Sequence, residues 1–321
     1  MRALAAVIAE CIRESARIYW VLLRIALPLL IVIRLLDEYV NFIAVVGDLL
    51  SPLMSLVGLP GQAGIVWAAA LLMQLYAALL LLVSLWAELN LSVAQATTLA
   101  LMILVAHSLP IELRIAQRAG AAWWVMLLMR VGGALIFGAL LNGVYIAGGW
   151  LQSPAVLHFV PLPPAPGWGA WFIGQAQNWA GVYVLIVALL IVIRILKATH
   201  AERLLIWLLS PLLRWMGIGQ RAVTATMVGM TLGLSYGGGI LIAESRRGDI
   251  ERRDMLCALA LLGLCHSVIE DTLLMMLINA HWSGVLIARV IFSFVFMMFF
   301  ARLIKSMPQP LLAKFFLSKM R

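Results

Sequence analysis

Long apolar stretches run through the chain, and short polar clusters break them at regular places. Residues 18–36, 62–88, 92–118 and 121–141 are each long enough in apolar character to span or enter a bilayer. The run at 92–118 is interrupted at His107-Ser108-Leu109-Pro110, where a proline removes a helix donor and clashes with the preceding turn. The run at 62–88 carries Gln74 and Tyr76 near its middle. Residues 41–58, with Asp48, Ser51 and Pro52, read as an interfacial helix, and residues 1–17 as a basic amphipathic lead-in. Residues 142–178 are rich in Pro, Gly and Trp and lack Lys, Arg, Asp and Glu, the pattern of an outer loop. In the second half, Ser235-Tyr236-Gly237-Gly238-Gly239 interrupts one apolar run. Three glycines disfavour a helix interior, because glycine loses the most backbone entropy on ordering. This stretch is therefore expected at the tip of a re-entrant hairpin spanning 222–245. Cys265-His266-Ser267 and Glu270-Asp271-Thr272 interrupt the next run and predict a second broken crossing.

The second half repeats the first. LLIVIRLLDE at 29–38 matches LLIVIRILKA at 189–198, and LLSPLMSLVGLPGQA at 49–63 matches LLSPLLRWMGIGQRA at 208–222. His107-Ser108 matches His266-Ser267, and Trp123 and Arg130 match Trp282 and Arg289. The offset stays at 159 or 160, which points to duplication. If 62–88 and 222–245 fold back without crossing, each copy crosses three times and the two are inverted. That arrangement puts the arginines at 2, 13, 17, 24, 114, 118, 246, 247, 252 and 253 on one side, with the basic tail at 305–321. The positive-inside rule makes that side cytoplasmic. The expectation is an all-α polytopic membrane protein of two inverted repeats. Each has a helix, an interfacial helix, a re-entrant hairpin, an interrupted helix and a helix. The segments are 1–17, the first repeat 18–141, the outer loop 142–178, the second repeat 179–304 and a cytoplasmic tail 305–321. Six full crossings and two hairpins follow, in a bacterial-type inner membrane with both termini cytoplasmic.

Composition agrees. Of 321 residues, 64% are hydrophobic and 12% charged, with mean hydropathy +1.04, outside the range of soluble domains. The net charge of +9 is explained by orientation and anionic lipid, not by nucleic acid. Cys11, Cys257 and Cys265 form no CxxC pattern, and the apolar run at 18–36 has no small-residue cleavage site after it.

Each candidate has a functional and a plain reading. Ser235, Tyr236 and Gly237–Gly239 offer backbone groups and hydroxyls to a polar solute, or serve close helix packing. His107 and His266, beside Ser108 and Ser267, mark a central site or hydrogen-bonded packing, and histidine is able to relay a proton. Glu112, Glu270 and Asp271 bind a coupling cation or substrate hydroxyls, or pair with Arg130 and Arg289. Those arginines lie seven residues beyond Trp123 and Trp282, roughly 10 Å into the bilayer, and need partners. Sixteen methionines and the buried-type cysteines point only weakly to soft metals, and no metal-ligand spacing appears.

The element order within each half, with the pattern around Ser235–Gly239 and His266–Thr272, resembles the transport core of concentrative nucleoside transporters. It also looks like the nucleoside-recognition, or Gate, domain that includes the membrane domain of ferrous-iron transporters. The resemblance covers most of 18–304. It implies that Gln74, Tyr76, Ser235–Gly239, His107, Ser108, His266, Ser267, Glu270 and Asp271 meet at a central substrate site. The functions to weigh are a secondary transporter of a small polar solute, coupled to Na⁺ or H⁺ with no other cofactor, a divalent-metal permease, and a non-transporting scaffold. Partners expected are lipid, a small molecule and further copies of the chain. No phosphate loop, nucleophile–base set or metalloprotease motif suggests an enzyme.

Overall fold

The computed structural model describes residues 2–157, 167–199, 201–216, 218–248 and 250–318. Helices account for nearly all of them. Backbone groups in a bilayer have no water to bond, so each must find a partner within its own helix. α1 (Arg2–Val40) is a single 39-residue helix that passes through Pro28, so the expected lead-in and first crossing are continuous. α2 (Phe42–Ser55) follows after Asn41 in the left-handed conformation. α3 (Ala63–Leu72) and α4 (Leu75–Ser84) form the first hairpin, and α5 (Trp86–Leu89) is one turn. α6 (Val93–Val105) and α7 (Leu109–Arg118) are the halves of a broken helix, and α8 (Trp123–Gly148) is unbroken.

The second half has the same order. α9 (Trp168–Ala198) begins earlier than the expected repeat boundary at 179, and α8 ends later than 141. Residues 142–148 and 168–178 of the loop expected at 142–178 are thus helical, and its part at 158–166 lies outside the described residues. α10 (Ala201–Trp215) matches α2 in position. α11 (Gln220–Leu232) and α12 (Leu234–Arg247) form the second hairpin. α13 (Arg252–Leu264) and α14 (Val268–Met276) form the second broken helix. A π-helical turn, Ser283–Ala288, leads straight into α15 (Arg289–Ser306), and α16 (Gln309–Phe315) is short.

Hairpins and broken helices differ in how their parts meet. α3 packs along α4 and α11 along α12, so each pair folds back on itself. α6 and α7 scarcely touch, nor do α13 and α14, as in a helix that continues past its break. α3 and α4 are each about 15 Å long, half the hydrocarbon thickness. The first hairpin thus turns at Met73–Gln74, both extended.

The second hairpin corrects the expectation about its tip. The chain turns at Gly233, whose φ of 90° suits glycine. Gly237–Gly239 lie inside α12. They serve an approach so close that a Cβ on Gly237 would sit 2.4 Å from the Cα of Gly229 in α11. A Cβ on Gly238 would meet Ile115 of α7 at the same distance. Packing between helices outweighs the propensity cost of about 1 kcal/mol per glycine.

Among the described residues, five helices are long and apolar enough to cross a membrane: Val93–Arg118 taken through its break, Trp123–Gly148, Trp168–Leu196, Arg252–Met276 through its break, and Ser283–Ser306. The sixth expected crossing falls in α1, which is not among the five. The two broken spans are central, with 72% and 83% of their most apolar stretch buried, against 29–50% for the others. α1 and α9 pair antiparallel. Arg194 meets Glu10, Tyr19 meets Tyr183 and Arg34 lies over Trp168. The chain end is also tied in, since Ala122 N–H donates to Phe316 O and Ser318 N–H to Gly120 O.

The three glycines should respond unequally to a methyl group. Gly237→Ala should destabilise by about 1–3 kcal/mol through overpacking, while Gly239→Ala, with open space around its Cβ position, should be neutral or stabilising by up to about 1 kcal/mol. Thermal unfolding of the two variants in detergent reads the difference, and equal melting would contradict the packing account.

Candidate functional site

Two helix breaks meet at the centre. Each ends with a serine in the left-handed conformation, Ser108 at φ 51° and Ser267 at φ 49°. Pro110 fits the first turn of α7, where its missing N–H costs nothing. The second break has Ile269 at the equivalent place, so proline alone does not make these breaks. The hairpins hold them. Ser108 N–H donates to Ala70 O at 3.0 Å and Met73 O at 3.1 Å, and its hydroxyl donates to Met73 O. Ser267 N–H donates to Gly229 O at 3.4 Å.

A break also strands the last carbonyls of the preceding half-helix. Two buried arginines answer them. Arg130 of α8 donates its Nε–H to Val105 O at 2.9 Å. Arg289 of α15 donates Nε–H to Leu264 O at 3.3 Å, and Nη2 to Leu104 O at 3.2 Å and His266 O at 2.9 Å. A cation at a helix C-terminus meets the negative end of the dipole. The balancing acids sit in the first turns of α7 and α14, at the positive ends. Glu112 Oε2 accepts from Arg130 Nη1. Asp271 Oδ2 lies 4.0 Å from Arg289 Nη1, too long for a hydrogen bond. The second pair leaves Asp271 Oδ2 and Arg289 Nη1 buried without hydrogen-bond partners, as is Arg130 Nη2.

The histidines complete the centre. His107 Nδ1 lies 2.9 Å from Ile103 O and His266 Nδ1 2.7 Å from Leu262 O. A carbonyl only accepts, so both Nδ1 atoms carry the hydrogen and both Nε2 atoms are left free. Those Nε2 atoms lie 3.4 and 3.6 Å from the same Glu112 Oε1. The rings are 5.1 Å apart between centroids. His107, His266 and Asp271 each offer a ligand atom within 4.8 Å of the others.

The structure thus brings together His107, Ser108, Glu112, Arg130, His266, Ser267, Asp271 and Arg289. Every one of these has its counterpart 159 positions away, including Glu112 with Asp271. That acid pair was missed in the sequence, though the offset that matches the histidines also finds it. Glu270 is apart from the arginines and accepts instead from Tyr76 Oη at 3.0 Å, a contact between the halves. Gln74 is exposed at the first hairpin turn and makes no side-chain cap. Gly237 packs on α11 and Gly238 on α7, Gly239 faces open space, and none of the three is at the breaks, while Gly233 lies there, near Ser267. Ser235 and Tyr236 are helical, and their side chains lie outside those described. Beside Glu112 and Arg130 is a void of about 10 Å³, closed by Leu113, Ala116, Met126, Leu234, Leu259 and Gly263.

If Arg130 caps α6 as described, Arg130→Met strands the Val105 carbonyl and leaves Glu112 buried and unpaired. A loss of about 3–5 kcal/mol is expected, and the double variant with Glu112→Leu should lose less than the sum of the two singles. Denaturant titration of the purified protein measures both, and strict additivity would show that the two groups are not coupled.

Similarity to known proteins is confined to sequence. No protein-family model matches the chain, and no solved structure matches it. Over 261 residues it is 29% identical to the uncharacterized membrane protein YvoD of Bacillus subtilis (strain 168), covering 79% of this chain and 81% of that one. Together with the all-helical fold and its five apolar spans, this similarity makes the chain a multi-pass membrane protein.

Proposed function

We propose that the protein is a secondary transporter of a small polar solute, working by alternating access between two inverted halves. The observation that carries this reading is the meeting of two equivalent helix breaks at one buried polar cluster. Val105 and Leu264 are capped by Arg130 and Arg289 with the same donor atom and the same offset of 159. Discontinuous helices whose ends converge near the bilayer midplane are the usual way a transporter builds a solute site. Inversion is supported by α1 and α9, sequence-equivalent helices that pair antiparallel. A twofold axis lying in the membrane plane turns a helix into an antiparallel copy of itself. The hairpins, read as re-entrant, seat each break, and their sliding would expose it to one side or the other. The resemblance to the nucleoside-recognition family points the same way, as do the inner-membrane location and cytoplasmic termini read from charge.

A divalent-cation permease is the second reading. The grouping of His107, His266 and Asp271 within 4.8 Å favours it. The two readings part on a simple measurement, uptake into proteoliposomes of a panel of nucleosides and other polar solutes against uptake of Fe²⁺, Mn²⁺ and Zn²⁺.

Single cysteines at Ser108 and Ser267 test alternating access. Each should react with a membrane-impermeant thiol reagent from one side only, and added solute should shift the reactive side by several-fold. Reactivity from both sides at once would indicate a channel, and none from either side under any solute would remove the transport reading.

A further inference from the structure

The Glu112 corner of the cluster has a valence problem. Three acceptor atoms face one another there: His107 Nε2, His266 Nε2 and Glu112 Oε1. The Nδ1 hydrogens of both rings are committed to carbonyls, and the other oxygen of Glu112 is taken by Arg130. Acceptors do not hold each other at 3.4–3.6 Å in a buried site unless something positive or donating lies among them.

We infer that His107, His266 and Glu112 together form a single-proton site within the membrane, loaded from the cavity at the end of the seam between α7 and α13. Charge and size separate a proton from the alternatives. Counted as ions, Arg130 and Arg289 are matched one for one by Glu112 and Asp271, which makes the cluster formally neutral before loading. A proton adds one charge and spreads it over three atoms. A divalent ion adds two beside two buried guanidinium groups, with no further acid among the groups that face the site. Those groups are His107 and Ser108 at the first break, Cys265, His266 and Ser267 at the second, Glu112 of α7, Arg130 of α8, Asp271 of α14 and Arg289 of α15, while Glu270, next to Asp271, is bonded to Tyr76 instead. The adjoining void of about 10 Å³ has room for one water and none for a hydrated ion.

The route is visible in the spacing of the lining residues. The small void touches Glu112 and Ala116 of α7, and Gly263 and Leu259 of α13. A larger cavity, about 660 Å³, touches Ala119 and Gly120 at the end of α7, and Leu256, Met255 and Arg252 of α13. On each helix the residues step by three or four, so both spaces lie along one seam. Ala116 and Leu259 border the inner space, and one helical turn, about 5 Å, separates it from the outer one. The α7 wall of that turn is made of Ala116, Ala119 and Gly120. Loading moves one proton from hydronium in the outer cavity to the cluster and leaves a water behind. No other bond changes.

The site is tested on the purified full-length protein without solute. Nitrogen-15 histidine NMR spectra are recorded between about pH 5 and 9, the range in which imidazole titrates. The resonances of His107 and His266 should move together, with one proton between them. In Glu112→Gln an amide N–H takes the place of the mobile proton, and the joint response should disappear while both Nδ1–H signals remain. If that variant does not fold, His266→Gln makes the same test, and His107 should then lose its response. Independent titration of the two rings, or a joint response that survives either variant, would overturn the assignment. For the route, Ala116→Phe, or Ala119→Leu if the first is unstable, should slow deuterium arrival at the Glu112 carboxyl by at least about tenfold in infrared spectra, as expected when water must reach the site by local opening. An unchanged rate would refute the seam. Calorimetric titration with Zn²⁺ or Mn²⁺ alone gives the rival outcome, since stoichiometric binding lost in His266→Gln would make this a metal site. The site stands apart from the transport reading: a failed solute screen bears on transport, and a failed titration bears on the proton site.

Discussion

Breaking a helix in an apolar interior frees backbone groups that have nowhere to go, and this protein does it twice at its centre. Its arginines resolve the problem. Each is buried, each reaches the carbonyls of a half-helix that has just ended, and Arg289 reaches both. An arginine so placed needs an acid, and the acid is found in the first turn of the half-helix that follows. The histidines, one turn before the acids, then take their orientation from carbonyls of the same broken helices. Remove the need to cap the breaks and no other feature of the centre has a reason to be where it is.

Much of this was legible in the chain. The offset of 159 located both breaks, both histidines and both arginines before any coordinates, because polar residues in apolar runs are few and their matches are informative. The glycine triplet misled for the opposite reason. Local propensity places Gly237–Gly239 in a turn, but the helix needs them because α7 and α11 come so close. The turn fell to Gly233, one glycine in an unremarkable Leu-Gly-Leu. The first hairpin turn carries no such marker at all, and Met73 enters the site only through its carbonyl, which no side-chain pattern reports. Nor did sequence distinguish Glu270 from Asp271: one position decides whether the acid turns towards Arg289 or towards Tyr76 of the other half.

The two halves share residues but not distances. Glu112 is tied to Arg130 and has both histidine Nε2 atoms within 3.6 Å, whereas Asp271 stands 4.0 Å off Arg289 and is only within 4.8 Å of the histidines. Residues related by the same offset are thus arranged unequally at the centre. The orphaned atoms lie mostly on the looser pair, at Asp271 Oδ2 and Arg289 Nη1.

The ties at the chain end bear on biosynthesis. The carbonyl of Gly120 and the N–H of Ala122, in the short loop joining α7 to α8, find backbone partners among the described residues only in Ser318 and Phe316. Those residues are synthesised long after the loop itself. The amino-terminal half therefore closes its own loop only once the carboxy-terminal half has been made, and Leu104 waits for Arg289 in the same way. The duplicated halves are not two domains that fold in turn and then dock. Each is finished by bonds from the other.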